Sequence, residues 1–240
     1  MIPSNEKDIL LLPVTDGWLS NPFNMPGFPG YNSKKAKHNG GDLGWVTTQY
    51  CDVLACQDGT VVQIINNGSE VGNGIVLQHD YADGSHRWTA YIHEKSLPCK
   101  ADGTLLKKGA FVTQGQKIGI RGGSPYVNGK AKYGTHLHLY VSNVNKLTYS
   151  WNTMKANVLD PFPLLYRSKK IAYNWLNPDL RALPYLEDVE GVSDIDALKN
   201  ENKELQKQVA TLQSKAEKLE LINNGLINRI TKIRDLTNEE

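Results

Sequence analysis

The sequence predicts a mainly β domain, built on an antiparallel sheet, followed by a C-terminal α-helical coiled coil. Two patterns carry that expectation. Short β-like runs such as "GTVVQII" (59–65), "NGIVLQHD" (73–80), "HRWTAYIH" (86–93) and "THLHLYVS" (135–142) are separated by turn dipeptides, among them Asn67-Gly68, Asp83-Gly84 and Asp102-Gly103. Further on, apolar residues recur every 3.5 positions over six heptads.

At 240 residues the chain can hold one sizeable domain with its own core plus an extension. A formal net charge of +2 gives no nucleic-acid or membrane-surface signature. No apolar run approaches the roughly 20 residues that span a bilayer. At the start, the apolar stretch is only Ile9 to Val14, preceded by Glu6 and Asp8, which is not the pattern of a secretory signal peptide. Cys51, Cys56 and Cys99 form no CxxC pair, so free structural thiols are expected.

Three regions follow in order. Residues 1–167 read as the β domain. Residues 168–193, with Pro178 and Pro184, read as a connector that hugs the domain or links onward. Residues 194–236 read as the coiled coil, with Ile195, Asn202, Val209, Ala216, Asn223 and Ile230 at a, and Leu198, Leu205, Leu212, Leu219, Leu226 and Ile233 at d. Asparagine at a favours a register-fixed parallel dimer, while Ile222 and Ile227 beside the seam favour a higher order.

Within the β domain, "YGTHLHLYVS" alternates Leu137, Leu139 and Val141 with His136, His138 and Tyr140. Residues two apart on a strand share a face, so both imidazoles point one way. Burying imidazoles is costly unless something uses their nitrogens. A polar pair on a solvated strand face is the competing reading. Upstream, "KHNGGDLGW" places His38 and Asp42 four apart around Gly40 and Gly41, which argues for a tight open turn rather than a helix. His93 ends the strand-like run "WTAYIH". Catalytic zinc takes three protein ligands and leaves a fourth position open. His38, Asp42 and one histidine of the HxH pair supply that number, and the other would lie with His93 beside the open position. Tyr31, seven residues before His38, is a candidate to hydrogen-bond a tetrahedral intermediate, the alternative being a solvent-facing loop tyrosine.

The segments "HNGGD", "ACQDGTVV", "GNGIVLQHD", "AYIH", "LLKKGAFVTQGQKIGIRG" and "GTHLHLYVS" together resemble the M23 (LytM/lysostaphin-type) zinc endopeptidases, over about Pro22 to Tyr166. The resemblance implies an antiparallel β-sheet groove domain, one zinc ion, and hydrolysis of the cross-linking peptides of bacterial peptidoglycan. It implies His38, Asp42 and His138 as metal ligands, and His93 and His136 as catalytic non-ligands. His79 matches a family histidine without a catalytic role, and His86 matches nothing. Relatives that lack one or more of the five residues act as non-catalytic binders, and all five are present here. The loop "GGSPYVNGKAKYGT" is longer than is typical of the family, which bears on substrate preference. Without a signal peptide or anchor, the expected route to the wall is a bacteriophage: a virion tail-associated lysin, with a free endolysin or a non-catalytic tail protein as alternatives. The coiled coil would then bind a second copy of the chain or a phage tail protein. No nucleic-acid partner and no membrane span are expected.

Overall fold

The computed structural model describes residue 2 and residues 4–25, 37–44, 50–145 and 157–189. In the C-terminal part it describes residues 204, 207–209, 211–220, 223 and 225. Two units separate, Met1–Glu187 and Asp188–Glu240.

The first unit is mainly β. Its early strands are β1 (Leu10–Leu11), β2 (Asp16–Asn21), β3 (Gly41–Gly44), β4 (Asp52–Leu54) and β5 (Gly59–Gly68). There follow β6 (Gly72–Asp80), β7 (His86–Glu94), β8 (Phe111–Val112), β9 (Lys117–Ile120), β10 (Tyr126–Val127) and β11 (Lys130–Ala131). The last are β12 (His136–Ser142), β13 (Val158–Leu159), β14 (Leu165–Tyr166) and β15 (Trp175–Leu176). A nine-stranded sheet runs β15-β2-β3-β12-β7-β6-β5-β8, with β13 also on β12. It is antiparallel except where β15 joins β2 in parallel. The small β1-β14 pair is parallel as well.

Alternation along β12 divides the sheet into two faces. Leu137, Leu139 and Val141 enter the larger core with Leu43, Val61, Ile75, Leu77 and Tyr91. The opposite face carries a smaller cluster of Val76, Ala90, Ile92 and Tyr140. Each fully buried Leu, Ile or Val contributes roughly 1.5–3 kcal/mol. Register then decides what shares the second face: His138 lies opposite Asp42 on β3 and Ile92 on β7.

Residues 168–187, read from sequence as a connector, pack into this unit. Asn177 caps a short helix α1 (Pro178–Arg181), accepting from the Leu180 N–H. Leu176, Leu180 and Leu183 are buried in the main core. The compact unit therefore extends to Glu187.

In the second unit the described residues from 204 on are helical and exposed. Val209, Leu212 and Leu219, at heptad positions a, d and d, are 53%, 63% and 66% exposed. The described residues there form a helix, and the rest of 194–236 lies outside the described residues. No described helix is long and apolar enough to cross a membrane.

All three cysteines are free and buried. Burial pushes the Cys51 and Cys56 thiols up to about 12, so neither is a nucleophile near neutral pH. His79 is a core residue, with Nδ1 donating to the Asp58 carbonyl and Nε2 accepting from Thr89 Oγ1, each at 2.8 Å. Burial lowers its pKa from 6.5 to about 4. Between those values the unfolded chain binds a proton that the folded chain refuses, so stability falls as pH drops from about 6.5 toward 4. The loss attributable to this residue is about 3 kcal/mol at most. Denaturant unfolding of wild type and His79→Gln at pH 7.5 and 4.5 checks it. A stability difference between the two that is independent of pH contradicts the assignment.

Candidate metal and catalytic centre

Three adjoining strands bring the site together. Asp42 sits on β3 directly opposite His138 on β12. His38 reaches the same point from the segment before β3, which pairs with residues 24–25 through Asn24 N to His38 O (2.8 Å) and His38 N to Met25 O (3.1 Å). His138 Nδ1 lies 2.8 Å from Asp42 Oδ1 and 3.0 Å from His38 Nε2, and His38 Nε2 lies 3.1 Å from Asp42 Oδ1. All three residues are buried.

The His38 tautomer is set from outside. Its Nδ1 lies 3.0 Å from the Pro22 carbonyl oxygen, which can only accept, so Nδ1 carries the proton and Nε2 offers a lone pair. Asp42 Oδ2 accepts from Asn21 Nδ2 at 2.9 Å, which leaves Oδ1 for the cluster. An irregularity in β2 between Leu19 and Asn21 sets Asn21 opposite Asp42. Burial alone would raise the Asp42 carboxyl, but the adjoining His138 and His38 rings hold it well below the ordinary carboxylate range.

A carboxylate oxygen and two imidazole nitrogens thus converge in a buried triangle, which suits a cation. Around a tetrahedral zinc with ligand distances of ~2.0–2.1 Å, ligand atoms stand about 3.3 Å apart. The measured edges of 2.8, 3.0 and 3.1 Å need only a small expansion to meet that. The residues present fit the metal.

Gly40 has a steric role here. A Cβ at this position would lie 2.4 Å from the Leu139 carbonyl oxygen and 2.6 Å from His138 Nε2. The chain bends at Gly40 and enters β3 at Gly41, and the His138 ring occupies the space a side chain at Gly40 would need.

His136 and His93 stand beside the triangle. His136 Nε2 is 3.9 Å from Asp42 Oδ1, and its Nδ1 donates to the Gly134 carbonyl at 2.7 Å. His93 Nδ1 donates to the Ser124 carbonyl at 2.8 Å. In both rings Nε2 is left as the lone-pair nitrogen. The imidazole centroids lie 4.6 Å apart, and His93 is 6.1 Å from His138.

His93 reaches this face through a β-bulge. Gly74 pairs with Ile92 while Asn73 pairs with Glu94, so His93 is the extra residue. Strict alternation would send the side chain after Ile92 into the main core. The bulge and a φ of +66° turn His93 onto the His136 side instead. A left-handed conformation costs a non-glycine residue about 1–2 kcal/mol. Burial, and then repulsion from His136 and His138, lower its pKa well below 6.5. Glu94, next along, is fully buried, and neither carboxyl oxygen has a hydrogen-bond partner among the described residues. Burial pushes its pKa well above the ordinary range.

The five residues read from sequence as the site are therefore gathered on one sheet face. Tyr31 lies outside the described residues. His79 and His86 are elsewhere, the first in the core and the second exposed on Asp80. Sequence reading missed Asn21, Gly40 as a packing residue, and the carbonyls of Pro22, Ser124 and Gly134. Backbone acceptors leave no mark in a sequence, and nothing about Asn21 distinguishes it from other asparagines.

Residues 36–150 match peptidase family M23. The chain is 31% identical over 147 residues to the peptidoglycan DD-endopeptidase ShyA of Vibrio cholerae, covering 61% of this chain and 29% of that protein. It thus spans less than a third of that relative's length. Among solved structures it is similar to the catalytic domain of lysostaphin from Staphylococcus simulans, with 26% identity, a TM-score of 0.41, and coverage of 59% of this chain and 86% of that one. It is also similar to Csd3 of Helicobacter pylori, with 21% identity, a TM-score of 0.45, and coverage of 83% and 44%. A stretch just under half the length of the chain is thus similar to the M23 peptidases.

Proposed function

We propose that this chain, as an M23-type peptidase, is a zinc-dependent endopeptidase that hydrolyses peptide bonds in peptidoglycan cross-links. His38, Asp42 and His138 are its metal ligands, and His93 and His136 its proton-transfer residues. One observation carries the reading. The convergence of His38 Nε2, Asp42 Oδ1 and His138 Nδ1 within 3.1 Å has two further histidines beside it, each presenting Nε2.

When bound, zinc supplies a Lewis acid that polarises a scissile carbonyl and acidifies water toward neutral pH. The chain's own residues do the rest. Pro22 O and Asn21 hold His38 and Asp42 in the orientation that presents their lone pairs. Nε2 of His136 and of His93 can accept a proton from the attacking water, steady the developing oxyanion once protonated, and pass the proton to the leaving amine. Burial of the triangle excludes bulk water from its ligands. Purified peptidoglycan sacculi incubated with zinc-loaded protein should release peptides identifiable by mass spectrometry, and a chelator should stop the release. A fully zinc-loaded chain that frees no peptide would refute the enzyme.

The exposed apolar a and d residues of the C-terminal helix support an assembly role. Residues 194–236 pair with a second copy or with a phage tail protein, and carry the catalytic unit to the wall as a virion-associated lysin. Full-length protein at tens of micromolar is expected to scatter light as a dimer, and a truncation ending at Asp188 as a monomer. A full-length monomer rules out self-pairing and leaves the heterologous partner.

A further inference from the structure

We propose that Tyr133 is a positioning residue for His93, and that Glu70 holds it in place. The inference rests on the peptidase reading of the site. The Tyr133 ring meets the His93 imidazole edge-on, with centroids 4.7 Å apart and planes at 64°, and lies 6.1 Å from His136. Its hydroxyl donates to Glu70 Oε2 at 3.1 Å. Lys132 Nζ reaches the same oxygen at 3.0 Å and the Ser69 carbonyl at 3.4 Å.

Glu70 belongs to the turn between β5 and β6, and that turn grips His93 twice. The Val71 carbonyl accepts from the His93 backbone N–H at 3.0 Å, while Glu70 holds the Tyr133 ring against the side chain. Two further ties join the turn to the loop that carries Tyr133. Tyr126 N donates to Asn67 Oδ1 at 2.9 Å, and Asn73 N donates to Ser124 Oγ at 2.8 Å. Ser124 is also the residue whose carbonyl accepts from His93 Nδ1.

The physical need is plain. The Nδ1 bond sets the tautomer but leaves the ring able to turn about its Cβ–Cγ bond, which would carry Nε2 away from the reacting atoms. The His136 and His138 rings lie 4.6 and 6.1 Å from the His93 ring, centroid to centroid. Tyr133 is the neutral packing partner among the aromatic neighbours of that ring. With its hydroxyl committed to Glu70, it acts through its ring and not as an acid. A small misplacement of a reacting group is costly in rate, up to about 10²-fold for an ångström.

The test uses the full chain, zinc-loaded, on purified peptidoglycan sacculi. Tyr133→Ala is expected to lower kcat about tenfold while KM stays within about twofold and zinc content is unchanged. Tyr133→Phe keeps the ring and recovers most of the rate. Glu70→Ala costs as much as Tyr133→Phe, and the double variant no more than either alone, because each removes the Tyr133–Glu70 bond. The His93 Cε1–H resonance should shift in Tyr133→Ala and hold in Tyr133→Phe. Multiplicative losses at Glu70 and Tyr133, a loss confined to KM, or an unmoved His93 resonance each overturn the proposal. A wild-type chain that binds zinc but cuts nothing sinks the peptidase reading, and the resonance still decides whether Tyr133 holds His93.

Discussion

Asp42→Ala is expected to lose its zinc under mild chelation and to show no measurable wall lysis. Oδ1 is the anionic corner of the proposed ligand triangle, 2.8 Å from His138 Nδ1 and 3.1 Å from His38 Nε2. Without it, two neutral imidazoles 3.0 Å apart remain, too few ligands for a catalytic zinc. Asn21→Ala gives the scale. It removes only the bond to Asp42 Oδ2, one step out from the metal, where such losses cost roughly 10–100-fold in affinity or activity. Asp42→Ala should weaken zinc by more than that. Elemental analysis after dialysis against a chelator, with competitive titration, reads both variants. Full zinc occupancy in Asp42→Ala would mean that the ligand set is wrong.

The second large effect separates ligands from proton carriers. His136→Ala and His93→Asn should keep one zinc per chain and lose turnover by about 10²-fold or more. Asparagine is the better replacement at position 93, because it tolerates the positive φ of +66° that the bulge imposes. The HxH pair is divided by distance. His138 presents Nδ1 at 2.8 Å from Asp42 Oδ1, whereas His136 presents Nε2 at 3.9 Å. If His136→Ala sheds the metal and His138→Ala keeps it, the two roles have been exchanged.

Much of this site was legible before any coordinates. The period-2 run around Leu137, Leu139 and Val141 required both histidines of the pair to share a face, and they do. Other inferences stopped at the range over which periodicity speaks. The segment after 167, punctuated by prolines, read as a connector that hugs the domain or links onward, and periodicity could not choose between the two. In the fold those prolines are compatible with an edge strand and a capped helical turn whose leucines fill the main core. The parallel pairing of β15 with β2 joins stretches more than 150 residues apart, which no local pattern can register.

What the sequence by itself determined is the chemical inventory and its local phase: five side chains able to bind metal or move protons, on glycine-rich β segments, and a heptad stripe after them. Only the tertiary structure decided which lone pairs meet. His38 Nε2 and His138 Nδ1 come from positions 100 apart, and strand pairing, not spacing, brings them within 3.0 Å. It decided that His93 leaves the alternation of its own strand, because a bulge adds one residue to the β6–β7 ladder. It decided each outer partner as well, since the Pro22, Ser124 and Gly134 carbonyls act through where the backbone passes. The physical reason is common to all three. Side-chain type and period are properties of neighbouring residues, whereas the aim of a lone pair depends on register across several strands, and register is settled only when the whole sheet forms.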